Sequence, residues 1–88
     1  MESRENELIR RSIIAAMLHV AEHPSELFEV CAEVEGDNSS ANAAIREAFG
    51  FDEMQAEAVL NLQVRRFTPR AIEQMRAEFA EVDARLAG

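Results

Sequence analysis

Tyrosine, tryptophan and lysine are absent from this chain, and cysteine, glycine and proline are scarce. Each gap removes a class of explanation. The single cysteine, Cys31, excludes an intrachain disulfide and fits a reducing cytoplasm. The three glycines, Gly36, Gly50 and Gly88, are too dispersed to form a phosphate-cradling loop, so nucleotide turnover is not expected. The longest apolar run, Ile13 to Leu18, falls far short of the ~20 residues that span a bilayer. No signal peptide is expected from the polar, acidic opening residues, and the expected location is cytoplasmic. With 17 acidic residues against 9 basic ones, a net charge of −8 argues against a nucleic-acid surface. There is no internal repeat and no low-complexity segment.

What the chain does have is apolar surface. Hydrophobic residues make up 48% of its 88 positions. A chain of this size is expected to form one domain, 1–88, and buries only about 60–65% of its unfolded surface. That leaves more apolar area than a small monomer hides easily, and association is the natural outlet.

The stretch from Phe51 to Thr68 concentrates that surplus. Asp52 followed three residues later by Gln55 reads as a capping box. Ala56, Ala58, Leu60 and Leu62 favour helix by propensity. On a helix, Ala56, Val59, Leu60, Val64 and Phe67 share one sector, and Met54, Ala58 and Leu62 share another. Only Glu57, Asn61 and Arg65 form a polar strip. The spacing therefore predicts a helix over 53–66 that is apolar on nearly all sides, one face toward its own core and another toward a partner. Leu60 to Arg65 also alternates as a strand would, but the cap, the alanines and the length favour helix. Gln55 and Gln63 project into apolar sectors. Gln55 is read as a cap and Gln63 as a rim residue, with an amide contact between subunits as the alternative.

The same residues carry a resemblance. Gln55-Ala56-x-Ala58-Val59-Leu60-Asn61-Leu62-x-Val64-x-Arg66-Phe67-Thr68 resembles the Gln-Ala-x-Ala-Ile-Leu-Asp-Met/Leu-Arg-Leu-x-Arg-Leu-Thr signature of bacterial type IIA topoisomerase A subunits, gyrase and topoisomerase IV. In that family the segment lies in an all-helical C-gate, where two subunits dimerise at the end of a long coiled-coil arm. Arg10 to Ala21 is similar to the descending helix of the arm and Glu73 to Leu86 to the returning one. Asn61, Gln63, Pro69 and Arg70 depart from the pattern, around the turn near Thr68. The resemblance implies a homodimer interface through Met54, Gln55, Ala58, Val59, Leu60, Leu62, Gln63, Val64 and Phe67. It also makes the full-length gyrase A subunit a further partner. That family cuts DNA through a covalent bond to tyrosine. This chain has none, so it cannot perform the reaction.

The flanking segments complete an all-α reading with five helices. Ile9, Ile13, Ala16 and Val20 form a heptad-like seam over a first helix from Ser3 to Glu22, widened by Ile14, Met17 and Leu18. Glu2, Glu5 and Glu7 stand at its start, where the helix dipole favours negative charge. Pro24 ends or kinks it. Ser25 is expected to cap a second helix through Leu27, Phe28, Val30, Cys31 and Val34, stopped at Gly36. Asp37 to Ser40 reads as a loop, Ala41 to Phe49 as a third helix, and Gly50 as its stop. Thr68-Pro69 starts a final helix whose Ile72, Met75, Phe79, Val82 and Leu86 make a second seam. The two seams predict an antiparallel coiled-coil stub of the first and last helices, with the other three as a small dimerisation cap.

Candidate chemistry is sparse. His19 and His23, at i and i+4, with Cys31 or Glu22, have the makings of a metal site, but Pro24 disturbs the geometry and two surface histidines are the simpler reading. Cys31, on an apolar helix side, reads as a core residue. Arg65, Arg66 and Arg70 form the densest basic patch, and a small DNA-associated factor is the alternative function. No catalytic constellation, cofactor site or metal site is expected. The reading that results is a non-catalytic dimerisation module that binds neither membrane nor DNA.

Overall fold

The structure is a computed structural model that describes residues 3–88, so Glu2 lies outside the described residues. All regular structure among them is helical: α1 (Arg4–Glu22), α2 (Pro24–Ala32), α3 (Asn38–Phe49), α4 (Glu53–Leu60), a 3₁₀ turn (Val64–Phe67) and α5 (Pro69–Ala87). Most boundaries follow from local chemistry. Ser3 accepts from the Asn6 amide at 3.1 Å and starts α1. Gly50, at φ 74°, closes α3 with its amide on Arg46 O. Asp52 and Gln55 form the complete capping box of α4, and Thr68 with Pro69 opens α5.

Three boundaries of α2 and α3 differ from the sequence reading. α2 begins at Pro24 with His23 in the cap position, not Ser25. Proline is already set to a helical φ and its missing donor is one that a first turn leaves free, so the helix starts two residues earlier than a Ser25 cap would place it. α2 then ends at Ala32, short of Val34 and Gly36, where the Glu33 and Val34 amides tighten onto Val30 O and Cys31 O. Asp37 to Ser40 is not a loop. Asp37 Oδ1 accepts from the Ser40 amide at 3.2 Å, and Asn38 to Ser40 become the first turn of α3. Asp, Asn and Ser suit loops and N-caps for the same reason, their short hydrogen-bonding side chains.

α1 is the spine. It packs antiparallel on α5 and, over another sector, on α4, while α3 joins α4 to α2. The antiparallel register is visible in the polar pairs along the seam. Arg4 Nη1 donates to Leu86 O at 2.9 Å, Arg11 pairs with Asp83 at 2.6 Å, and Arg76 at the far end pairs with Glu22. Arg85 bonds both Glu81 and Glu7, which together hold its guanidinium above its ordinary pKa.

The core has two parts. Ile14, Val82 and Leu86, with Met17 and Phe79, fill the α1–α5 seam. Ala16, Val20, Leu27, Ile45, Ala56 and Val59 fill the centre of the cap. The α1 residues lying against Val82 and Leu86 are therefore Ile14 and Met17. Ala16 and Val20 from the expected seam turn toward the cap, Ile13 is half-buried, and Ile9 is 39% exposed. On α5, Met75, Val82 and Leu86 are buried, and Ile72 and Phe79 half-buried. A helix gripped from two directions buries two adjacent sectors, so a single heptad stripe understates what α1 covers.

One polar residue is buried with the core. Asn42 donates to Glu53 O at 3.3 Å and Glu57 Oε2 at 3.4 Å, and accepts from Arg46 Nε at 2.8 Å. Its amide is satisfied on both ends, which ties α3 to α4 without an orphaned group.

Candidate association surface

The helix expected over 53–66 is interrupted. α4 ends at Leu60, where Asn61 Nδ2 donates to Glu57 O at 2.9 Å and the Leu62 amide turns back to Val59 O at 3.1 Å. A side-chain amide competing for helix carbonyls is a recognised way to stop a helix. Gln63 is extended, at φ −81° and ψ 149°, and Val64 to Phe67 then form the 3₁₀ turn, with the Arg66 amide on Gln63 O at 2.9 Å. The alternating Leu60–Arg65 stretch thus becomes neither continuous helix nor strand. It turns back to pack on α5 and α1, facing α2 across a gap.

That fold-back creates an apolar cleft of about 310 Å³ between α2 and the segment 59–67, floored by Ile45. Leu27, Phe28 and Cys31 line the α2 side, and Leu60, Leu62, Val64 and Phe67 the other. Phe28 stacks on Phe67 with ring centroids 6.4 Å apart, yet remains 64% exposed, and Val64 is 85% exposed. Large apolar groups left open to water beside an apolar hollow make this a candidate interaction surface.

The nine residues of the sequence-derived interface are not equivalent in the structure. Leu60, Leu62, Val64 and Phe67 come together in the cleft, whereas Val59 is buried beneath it. Ala58 is half-buried and Gln63 exposed. Met54 lies elsewhere, 55% exposed over a shallow hollow shared with Leu8, Ile9 and Ile13. Gln55 is engaged within its own chain: Oε1 accepts from the Asp52 amide and Nε2 donates to Ser12 O, each at 2.9 Å. Phe28 and Cys31 complete the cleft, although the sequence places them only on one side of a core helix. The available signal is Phe28 itself, a large aromatic on a helix too short to bury it.

Charge is distributed unevenly around this surface. Among the described residues, Arg65, Arg66 and Arg70 take part in no ion pair, while Arg10, Arg11, Arg76 and Arg85 all do. These three lie together where the 3₁₀ turn meets α5. α2 carries Glu26 and Glu29 and no basic residue, and Glu33, Glu35 and Asp37 follow it. Glu57, Asn61 and Arg65 are exposed, as a polar strip would be.

His19 and His23 stack, with centroids 4.5 Å apart, and His23 Nδ1 lies 2.8 Å from His19 O. Cys31 is exposed, not a core residue, and among the described residues no three of His, Cys, Asp and Glu converge as metal ligands would. No helix among them is long and apolar enough to cross a membrane.

No protein-family model matches the chain. Over 83 residues, 94% of its length, it is 30% identical to the A subunit of DNA gyrase from Metamycoplasma arthritidis (strain 158L3-1). The aligned region is only 9% of that relative. Nearly the whole of this chain is therefore similar, at low identity, to one short piece of a much longer gyrase chain.

Proposed function

We propose that this chain is a non-catalytic pairing module: a unit resembling the C-gate of a gyrase A subunit that joins two copies of itself through the α2–3₁₀ cleft, in the cytoplasm. The observation that carries the proposal is the open apolar cleft with Phe28 and Val64 standing into solvent at its edge. Sedimentation equilibrium at micromolar concentration should give twice the chain mass, and a compact monomer there would reject the proposal.

The similarity to a gyrase chain extends the proposal to a second partner. A chain that carries dimer contacts but no tyrosine could exchange into a gyrase A pair and leave only one member competent to cut. Passage of a duplex through a double-strand break needs both. Co-expression of a tagged copy with the gyrase A subunit of the same cell, then pull-down and a supercoiling assay, tests this. Recovery of homodimers alone with supercoiling unchanged would leave self-association as the whole activity. Retention on DNA that weakens steeply with salt would instead favour the Arg65–Arg66–Arg70 patch as a DNA contact.

A further inference from the structure

We infer that the α2–3₁₀ cleft is a binding site for a small, uncharged, planar apolar molecule of about two fused rings. The inference goes beyond the pairing proposed above, because it concerns what one copy binds by itself. Helical phase on both walls keeps charge out of the hollow. On α2, the cleft residues Pro24, Leu27, Phe28 and Cys31 fall within about 100° of one another. Glu26 and Glu29 fall on the opposite side, where Glu26 Oε1 lies 3.6 Å from His19 Nε2. In the 3₁₀ turn, side chains three apart eclipse. Val64 and Phe67 therefore share the cleft side, while Arg65 and Arg66 turn to the hollow beside Thr68 and Arg70. The lining that remains is hydrocarbon, aromatic rings and one thiol. A charged group entering it would lose water and gain no counter-charge.

Size and rigidity narrow the occupant further. The cleft holds about 310 Å³, roughly twice the ~150 Å³ apolar cavity that takes up benzene and the lower end of the ~300–1,000 Å³ range of small-molecule sites. Its floor is Leu27, Ile45 and Val59, each buried and each part of the cap core. The hollow is thus formed before any ligand arrives. Phe28 and Phe67 present rings 28° from parallel, one on each wall, and a flat molecule gains face or edge contacts with both. Burying the exposed Phe28 ring is a further gain. The apolar hollow beside Met54 has no such floor. None of Leu8, Ile9, Ser12, Ile13, Asp52 and Met54 is buried, and Asp52 brings a charge.

Indole and indole-3-carboxylate, one ring system without and with a charge, serve as probes of the full chain. Methyl NMR titration with indole should shift Leu27, Ile45, Leu60 and Leu62 along one saturating curve, with a dissociation constant of about 0.1–1 mM. Leu8, Ile9 and Ile13 should stay in place. Indole-3-carboxylate should bind about tenfold or more weakly. C31W, which puts a bulky ring at an exposed position of the cleft wall, should weaken indole about tenfold or more with the urea midpoint unchanged. Shifts that never saturate, equal shifts at both hollows, a carboxylate that binds as well as indole, or undiminished binding by stably folded C31W would each overturn the site.

Sedimentation at saturating indole separates this inference from the pairing function. A dimer that becomes monomeric as the cleft methyls shift supports both, since ligand and partner then compete for one cleft. Shifted cleft methyls in an unchanged dimer support the site and move pairing to another surface. Shifts in a chain that is monomeric throughout support the site and reject pairing. A dimer with no cleft shift overturns the site and leaves pairing standing.

Discussion

Replacing Gln55 by alanine separates two roles that one side chain can play. Its oxygen caps the Asp52 amide and its nitrogen donates to Ser12 O on α1, each over 2.9 Å. The first contact is exposed and contributes about 0.5 kcal/mol, and the second is partly buried and contributes about 0.5–1.5 kcal/mol. Side-chain entropy released on truncation offsets a fraction of this. Q55A should therefore destabilise the fold by about 0.5–1.5 kcal/mol, a fall of roughly 2–12 °C in Tm for a domain of this size. Q55E sharpens the test. A glutamate can still accept from Asp52 and suits a helix N-terminus, but it replaces the donor to Ser12 O with a second acceptor. It should cost at least as much as alanine despite the intact cap. The assay is urea unfolding at fixed protein concentration, because any self-association makes apparent stability concentration-dependent, combined with sedimentation of each variant. A Q55A variant of wild-type stability but weakened self-association would refute the reasoning and make Gln55 an intersubunit contact.

Further outcomes follow from burial and backbone geometry. V64D should abolish self-association yet change monomer stability by no more than about 0.5 kcal/mol, because Val64 contacts the core so little. L60D should damage both, by about 3 kcal/mol or more, because half-buried Leu60 packs on the cap cluster. Denaturant titrations paired with sedimentation distinguish the two. G50A should lose about 1–2 kcal/mol from the left-handed backbone alone, since an added Cβ meets nothing within 4 Å. G50N should lose less, and equal losses would point to a steric cause. I45A should lose about 2–5 kcal/mol through a cavity beneath the cleft, whereas I9A should be nearly neutral, both read by thermal or urea unfolding.

Local signals in the sequence determined the helices and most of their ends. Capping residues act within four residues of their targets, so Gly50, the Asp52–Gln55 box and Thr68-Pro69 were legible without any tertiary knowledge. The same holds for the all-α class and for the presence of two amphipathic helices able to pack antiparallel. Where local chemistry is ambiguous, the sequence reading failed. Asp37 to Ser40 suits a loop or a cap, and Pro24 can end one helix while opening the next. Only the tertiary structure decided how the apolar residues are shared. It divided α1 between two neighbours, so that Ile14 and Met17 face α5 while Ala16 and Val20 face the cap. It also broke the central segment at Asn61, and so turned an apparently all-round apolar helix into one wall of a cleft whose other wall is α2. Helical periodicity presumes a continuous helix. Once Asn61 takes the Glu57 carbonyl and Gln63 extends, residues 64–67 no longer share the phase of 53–60, and their exposure depends on contacts with Phe28 and Cys31, more than thirty positions away.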